Sequence, residues 1–141
     1  STPSNSSAAS DVYKRQIVDP ALSYRIIEYN HHSMKGNLER KKATLIALAD
    51  KLEAKRTKLK QINTSLESDL FYLLNSVNVR HNNAEQGGKN YIHFVADMKD
   101  GDIEQWYDDM YQMCLLAFLE LDHLERKERV KKLKEDIQKN G

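Results

Sequence analysis

Apolar side chains recur along this chain at intervals of three and four residues, a spacing that places them on one face of an α-helix. A leucine also returns every seven residues through the first half of the chain, at Leu38, Leu45, Leu52, Leu59, Leu66 and Leu73. The positions that would complete a two-stranded zipper seam include Lys41, Lys55 and Asp69, so the leucines are predicted to form a stripe inside an antiparallel bundle. No apolar run approaches the roughly 20 residues of a membrane span, and no membrane partner is expected.

Capping residues predict where the first helices begin and end. Asp19 followed by Pro20 is typical of a helix start, and the predicted helix runs from Pro20 to Ser33 and ends before Gly36. Asn37 is predicted to cap the next helix.

The segment Thr64-Ser65-Leu66-Glu67 has the pattern of a capping box, which predicts a break or kink between helices 37–62 and 65–84. A continuous helix is the alternative, because neither Gly nor Pro intervenes. The pair Gly87-Gly88 then predicts a stop, followed by a short helix around residues 91–98 that Gly101 ends.

Asp102 is predicted to cap the longest helix, which extends to about residue 138. Its apolar seam consists of Ile103, Tyr107, Met110, Cys114, Ala117, Leu121 and Leu124. Trp106 and Tyr107 are expected to pack together against the helix that carries Leu66, and the last turns are expected to project from the bundle. The predicted fold is all-α, an antiparallel bundle of about four main helices with a long C-terminal helix.

Residues 1–16, STPSNSSAASDVYKRQ, are rich in Ser and Ala and lack the apolar core of a signal peptide. They are similar to translated adaptor sequence at the ends of metagenomic gene fragments. We expect them to be a disordered tail or such an artefact, with the native N-terminus missing, and we expect residues 17–141 to form one helical domain.

Net charge and cysteine content exclude only a few of the possible functions. The net charge of +1 does not by itself predict a polyanionic partner, although residues 39–60 hold eight Lys or Arg against three acids. We interpret this basic segment as a solvated helix face, with a nucleic-acid groove as the alternative. The single cysteine, Cys114, excludes an internal disulfide, fits a reducing cytoplasmic setting and is predicted to be a buried, inert thiol.

Two Glu-x-x-His pairs, Glu28 with His31 and Glu120 with His123, have the spacing found in di-iron helix bundles. Helical geometry places both pairs off the apolar faces, so no metal site is predicted. The chain also contains no phosphate-binding glycine loop, and no cofactor is predicted.

The run LLNSVNVRHNN is the strongest candidate for chemistry. If its helix continues by one turn, Arg80 and His81 fall on the apolar face, where a buried guanidinium needs a partner. One interpretation is an ion pair between Arg80 and an acid within residues 97–109. The other is a cleft in which Arg80 binds a phosphate and His81 moves a proton.

Residues 66–124 resemble a HEPN domain, with LLNSVNVRHNN at the end of a leucine-rich helix and WYDDMYQMCLLAFLELDH on a long final helix. The resemblance implies RNA binding or metal-independent RNA cleavage in a defence or toxin–antitoxin system. Arg80 would then hold the scissile phosphate, His81 would act on the ribose 2′-OH or the leaving oxygen, and Asn82 and Asn83 would contact RNA. The implied partners are RNA, an antitoxin or other defence protein, and a second copy in a homodimer.

The rival hypothesis is a non-catalytic helical module for protein–protein interaction. In support of it, Glu85, Gln86 and Gly87 occupy the place where the family carries its histidine.

Overall fold

The computed structural model describes residues 20–141, so the expectation for residues 1–16 lies outside the described residues. Every regular element between residues 20 and 141 is helical, which confirms the all-α prediction. The described part of the chain holds six α-helices rather than four. They are α1 (Pro20–Tyr29), α2 (Leu38–Glu53), α3 (Arg56–Ile62), α4 (Thr64–Ser76), α5 (His93–Ala96) and α6 (Asp100–Asn140).

In the first half of the described residues, Asn37 caps α2 as predicted, but two predicted helix ends are wrong. Helix α1 ends at Tyr29 rather than Ser33, and the helix predicted over residues 37–62 is divided into α2 and α3. A 3-10 turn at His32–Met34 follows α1, and the side chain of Asn37 accepts a hydrogen bond from the amide of Arg40 at the start of α2. The predicted break near residue 64 is present, so the continuous helix is excluded. Its capping residue is Asn63, whose side chain accepts from the amide of Leu66 at 3.1 Å, rather than Thr64.

The predicted N-cap of the longest helix is wrong by three residues. Helix α6 begins at Asp100 and includes Gly101, and its N-cap Lys99 makes no side-chain capping bond. Asp100 and Asp102 both lie in the first turn, where acids stabilise the positive end of the helix dipole. That stabilisation, together with the small cost of a glycine near a helix end, explains why the helix starts before the predicted cap.

Helices α2 and α6 run in the same direction. Near the start of both helices, Lys41 pairs with Glu104, and just past the end of α2, Lys55 shares a small cavity with Leu121. The prediction of an antiparallel bundle is therefore wrong for this pair, which packs together along much of the core.

Helix α4 runs opposite to α6. Its N-cap residue Asn63 donates to Glu120, while Tyr107, more than three turns earlier on α6, donates to the carbonyl of Asn78 just past the end of α4. The turn that follows α4 therefore lies beside the first third of α6. Residues 77–92 connect α4 to α5.

The core contains the predicted seam of α6 and most of the leucine stripe. Six of the seven seam residues are buried, and Leu124 is half-buried. Cys114 is fully buried, which raises the pKa of its thiol to about 12 and keeps it protonated. From Glu125 onward every residue is exposed, which confirms that the last turns of α6 project from the bundle. None of the helices between residues 20 and 141 is long and apolar enough to cross a lipid bilayer.

Candidate functional site

The segment RHNN does not continue helix α4. The helix ends at Ser76, and Asn78 adopts a φ of +59°, a conformation that asparagine tolerates better than most residues. The predicted extra turn that would carry Arg80 and His81 on the apolar face is therefore wrong. Gly87 has a φ of +82°, so a glycine is needed there, but it lies in a loop rather than at a helix end.

Asn83 is the centre of this loop. Asn83 is buried. Its side-chain nitrogen Nδ2 donates to the backbone carbonyls of Asn75 and Asn90. Its side-chain oxygen Oδ1 accepts from the backbone amide of Asn78 at 2.6 Å. Its own carbonyl accepts from the amide of Ile92. One buried side chain thus joins the end of α4 to the start of α5.

Arg80 connects the loop after α4 to helix α2 through an ion pair. Its guanidinium lies 2.8 Å from Glu53 at the end of α2, not beside the acids of residues 97–109 as expected. Burial acts to raise the pKa of Glu53, but hydrogen bonds from Arg80 and Arg56 outweigh it and lower that pKa. Both guanidinium groups also approach the ring of Phe71, at 4.0 Å for Arg56 and 5.7 Å for Arg80.

The four predicted site residues do not share one cleft. His81 and Asn82 are exposed, and Asn82 accepts hydrogen bonds from the amides of Ala84 and Glu85 within its own turn. Arg80 is partly exposed and paired, whereas Asn83 is buried. The assignment of these residues to an RNA site stays a prediction.

The Glu-x-x-His pairs have other roles in the structure. Glu28 pairs with Arg40 at 2.6 Å, and Glu120 accepts from Asn63, while the side chains of His31 and His123 are exposed. Within residues 20–141, no three His, Cys, Asp or Glu side chains are grouped as metal ligands.

A polar cluster around the buried side chain of Lys41 joins α1, α2 and α6. The ammonium of Lys41 lies 2.9 Å from both Glu104 and Asp108, and the hydroxyl of Tyr29 donates to Asp108 at 2.8 Å. Burial and the neighbouring Asp108 raise the pKa of Tyr29, so the phenol stays protonated and can donate. The Tyr29 ring also stacks on Tyr111 at 3.9 Å.

This cluster was not predicted, although the sequence carries a signal for it. Lys41 occupies one of the positions that would complete a zipper seam with the leucines. A lysine that is buried at such a position requires anionic partners. Hydrogen bonds from Lys41 and from the amide of Gly36 lower the pKa of Glu104. Every buried side-chain nitrogen and oxygen in the described residues has a hydrogen-bond partner, so we interpret the cluster as structural.

The largest cavity, about 600 Å³, is an apolar groove between α4, α5 and the start of α6. Its apolar walls are formed by Tyr72, Leu73, Val77, Ile92, Phe94, Val95, Met98 and Trp106. Three of its aromatic residues are strongly exposed, with Phe94 at 75%, Tyr72 at 69% and Trp106 at 40%. Exposed aromatic rings gathered in one concave surface are typical of a binding site.

Trp106 was expected to pack in the core beside Tyr107, and this expectation is wrong. Tyr107 is buried, and burial raises its pKa to about 12. Trp106, one residue earlier on α6, is rotated by about 100° and faces the groove instead. The two charged residues that line the groove, Asp102 and Asp109, are both acids.

Comparison with known proteins returned no match: no family model fits the chain, and no curated protein or solved structure is significantly similar to it.

Proposed function

We propose that this protein is a helical interaction module whose groove between α4, α5 and α6 binds an amphipathic, basic α-helix of a protein partner. The observation that carries this proposal is the concentration of exposed aromatic side chains in the groove. Aromatic residues are enriched in protein interfaces and contribute much of their binding energy.

The shape and chemistry of the groove favour a helix as its ligand. Apolar side chains spaced three or four residues apart on a helix fit a groove lined by Phe94, Trp106 and Tyr72. Asp102 and Asp109 would lie beside the polar edges of that helix, where lysine or arginine complements them.

The test uses Trp106, which is the only tryptophan in the chain and therefore reports on the groove alone. A synthetic peptide with leucines at i, i+3, i+4 and i+7 and lysines between them is titrated against the protein. We expect a saturable shift of the emission maximum to shorter wavelength, as the indole loses water. A peptide with glutamates in place of the lysines is expected to bind more weakly.

Phe94→Ala is expected to weaken peptide binding about tenfold, the effect of losing one aromatic anchor. Ile27→Ala is the matched control, because Ile27 is similarly exposed but lies on α1 outside the groove. Absence of a saturable shift, or an equal loss in both variants, would contradict the proposal.

RNA binding or cleavage by a HEPN-like domain stays a separate hypothesis, supported by the sequence resemblance and the exposure of His81. The same titration is therefore run with mixed single-stranded RNA in EDTA, followed by electrophoresis. RNA binding or cleavage that is lost in Arg80→Ala, with no response to the peptide, would favour that hypothesis over the interaction module.

A further inference from the structure

An exposed seam runs along α6 from the groove to the C-terminus. On the face opposite the buried seam, exposed positions at three-and-four spacing are apolar in two groups, with His123 and Arg126 between them. The apolar residues are Leu116 and Leu119 in the first group and Val130, Leu133 and Ile137 in the second. Toward the N-terminus the same three-and-four spacing passes through Asp109 and reaches Asp102, the two acids of the groove. Apolar residues at this spacing are typical of a helix that pairs with another helix.

We propose that this exposed seam binds a second copy of the same chain, with the two α6 helices antiparallel. The C-terminal segment 126–137 of each copy would lie along the groove of the other. This inference rests on the proposed function, because it names the helix that the groove receives.

The C-terminal segment cannot reach the groove of its own chain. Helix α6 is continuous over 41 residues, and Leu133 follows Trp106 by 27 positions, which separates them by about 40 Å along the axis. The helix would have to break for the two to meet, so only another molecule can bring this segment to the groove.

Charge decides the direction of pairing. In the antiparallel arrangement that places Leu116 opposite the partner's Leu119, Asp109 lies opposite the partner's Arg126. Parallel pairing would instead place Asp109 beside the partner's Asp109 and Arg126 beside the partner's Arg126. The antiparallel arrangement therefore forms two attractive contacts where the parallel one forms like-charge contacts.

The two ends of the exposed seam carry opposite net charge. Residues 126–141 contain seven Lys or Arg and three Asp or Glu, whereas the groove end of α6 carries Asp100, Asp102 and Asp109. Antiparallel helices also place each positive helix end beside the negative end of the partner. The seam thus fits its own reversed copy, as a two-fold symmetric dimer requires.

The first test measures the sedimentation of the 141-residue protein across a range of concentrations. We expect a reversible dimer, and we expect the Leu116→Asp/Leu119→Asp variant to be monomeric with an unchanged helical circular dichroism spectrum. Ile27→Asp is the matched control, since it places the same charge on another exposed apolar position and should remain dimeric.

Charge exchange tests the direction. Asp109→Arg and Arg126→Asp should each raise the dimer dissociation constant about tenfold or more, because each creates like-charge contacts across the interface. The double variant should recover most of that loss. Arg126 also pairs with Asp122 within its own helix, so recovery in the double variant is the decisive signature.

The possible results distinguish a failure of the dimer inference from a failure of the groove proposal. A wild-type protein that stays monomeric, or a dimer unaffected by the Leu116→Asp/Leu119→Asp change, overturns the inference. If the model peptide still binds in either case, the proposed function stands. A seam-dependent dimer with recovery in the charge-exchanged variant supports the inference. If the monomeric variant then fails to bind the peptide, the groove proposal fails, and with it the placement of segment 126–137 in the groove, while the dimer through Leu116 and Leu119 stands.

Discussion

At the scale of single residues, Arg56 and Arg80 each form an ion pair with an acid on another part of the chain. The two acids differ in how far their side chains are exposed to solvent. Arg56 pairs with Glu67 at 2.7 Å, and the side chain of Glu67 is only 8% exposed. Arg80 pairs with Glu53, whose side chain is 42% exposed and which also contacts Arg56. Losing the partner of a buried acid costs far more free energy than losing the partner of a solvated one.

We therefore expect Arg56→Ala to lower the free energy of unfolding by about 3 kcal/mol, because Glu67 would remain buried without its partner. Arg80→Ala should cost about 1 kcal/mol, since Glu53 keeps Arg56 and much of its hydration. Urea denaturation of both variants at neutral pH measures the difference. An equal or larger loss in Arg80→Ala would contradict this order.

The sequence indicated that Arg80 needs a partner but not which one. An arginine at the end of an apolar helix face implies a nearby acid. The partner found, Glu53, lies 27 residues earlier and is brought close by the packing of the end of α2 near the loop after α4. Local sequence patterns carry no information on that contact, and the expected partner among the acids of residues 97–109 was wrong.

At the scale of elements, the loop between α4 and α5 is held by side-chain hydrogen bonds rather than by regular structure. Asn83 occupies its centre with three hydrogen bonds from a buried side chain, while the neighbouring Asn82 caps an exposed turn. This loop supplies Ile92, one wall of the groove, so the order of the loop determines the shape of the groove.

Asn83→Ala should lower the free energy of unfolding by about 3 kcal/mol, because several backbone groups lose their partner. Asn82→Ala is the matched control and should cost less than about 1 kcal/mol, since water replaces its contacts. Hydrogen exchange of the Ile92 amide, which donates to the Asn83 carbonyl, should accelerate only in Asn83→Ala. Faster exchange in both variants would show that the turn at Asn82 controls the loop.

The spacing of apolar residues predicted which segments form helices. The residue at which each helix begins or ends was harder to predict, because it depends on several local interactions that oppose one another. The seam of α6 and the cap at Asn37 followed from residue type and interval alone. The start of α6 did not, because two acids in the first turn favoured helix through Gly101. The break at Ala54-Lys55 was also missed, since no glycine or proline marks it.

At the scale of the whole molecule, α6 has two faces with different apolar patterns. The buried seam ends near Leu124, and the exposed seam continues to Ile137. Which face Trp106 would occupy was not predictable, because that depends on where α4 and α5 leave the surface of α6 uncovered. The groove is therefore a property of how the helices assemble rather than of any one helix.

Deleting residues 129–141 tests the role of the projecting segment in the assembled molecule. Every deleted residue is exposed, and the deletion spares Glu128, which shares the small cavity with Lys58 of α3. The monomer should therefore keep its Tm within about 3 °C, because little buried area is lost. The 141-residue protein should melt at higher temperature as its concentration rises from about 1 to 100 µM, by mass action on the dimer, and the shortened protein should not.

Scanning calorimetry of both proteins at several concentrations measures this difference. A shortened protein that melts much lower even at the lowest concentration would mean that residues 129–141 stabilise their own bundle. An equal concentration dependence in the two proteins would place the dimer interface elsewhere. Because Val130, Leu133 and Ile137 are the only large apolar residues removed, a dependence lost with the segment traces self-association to this end of α6.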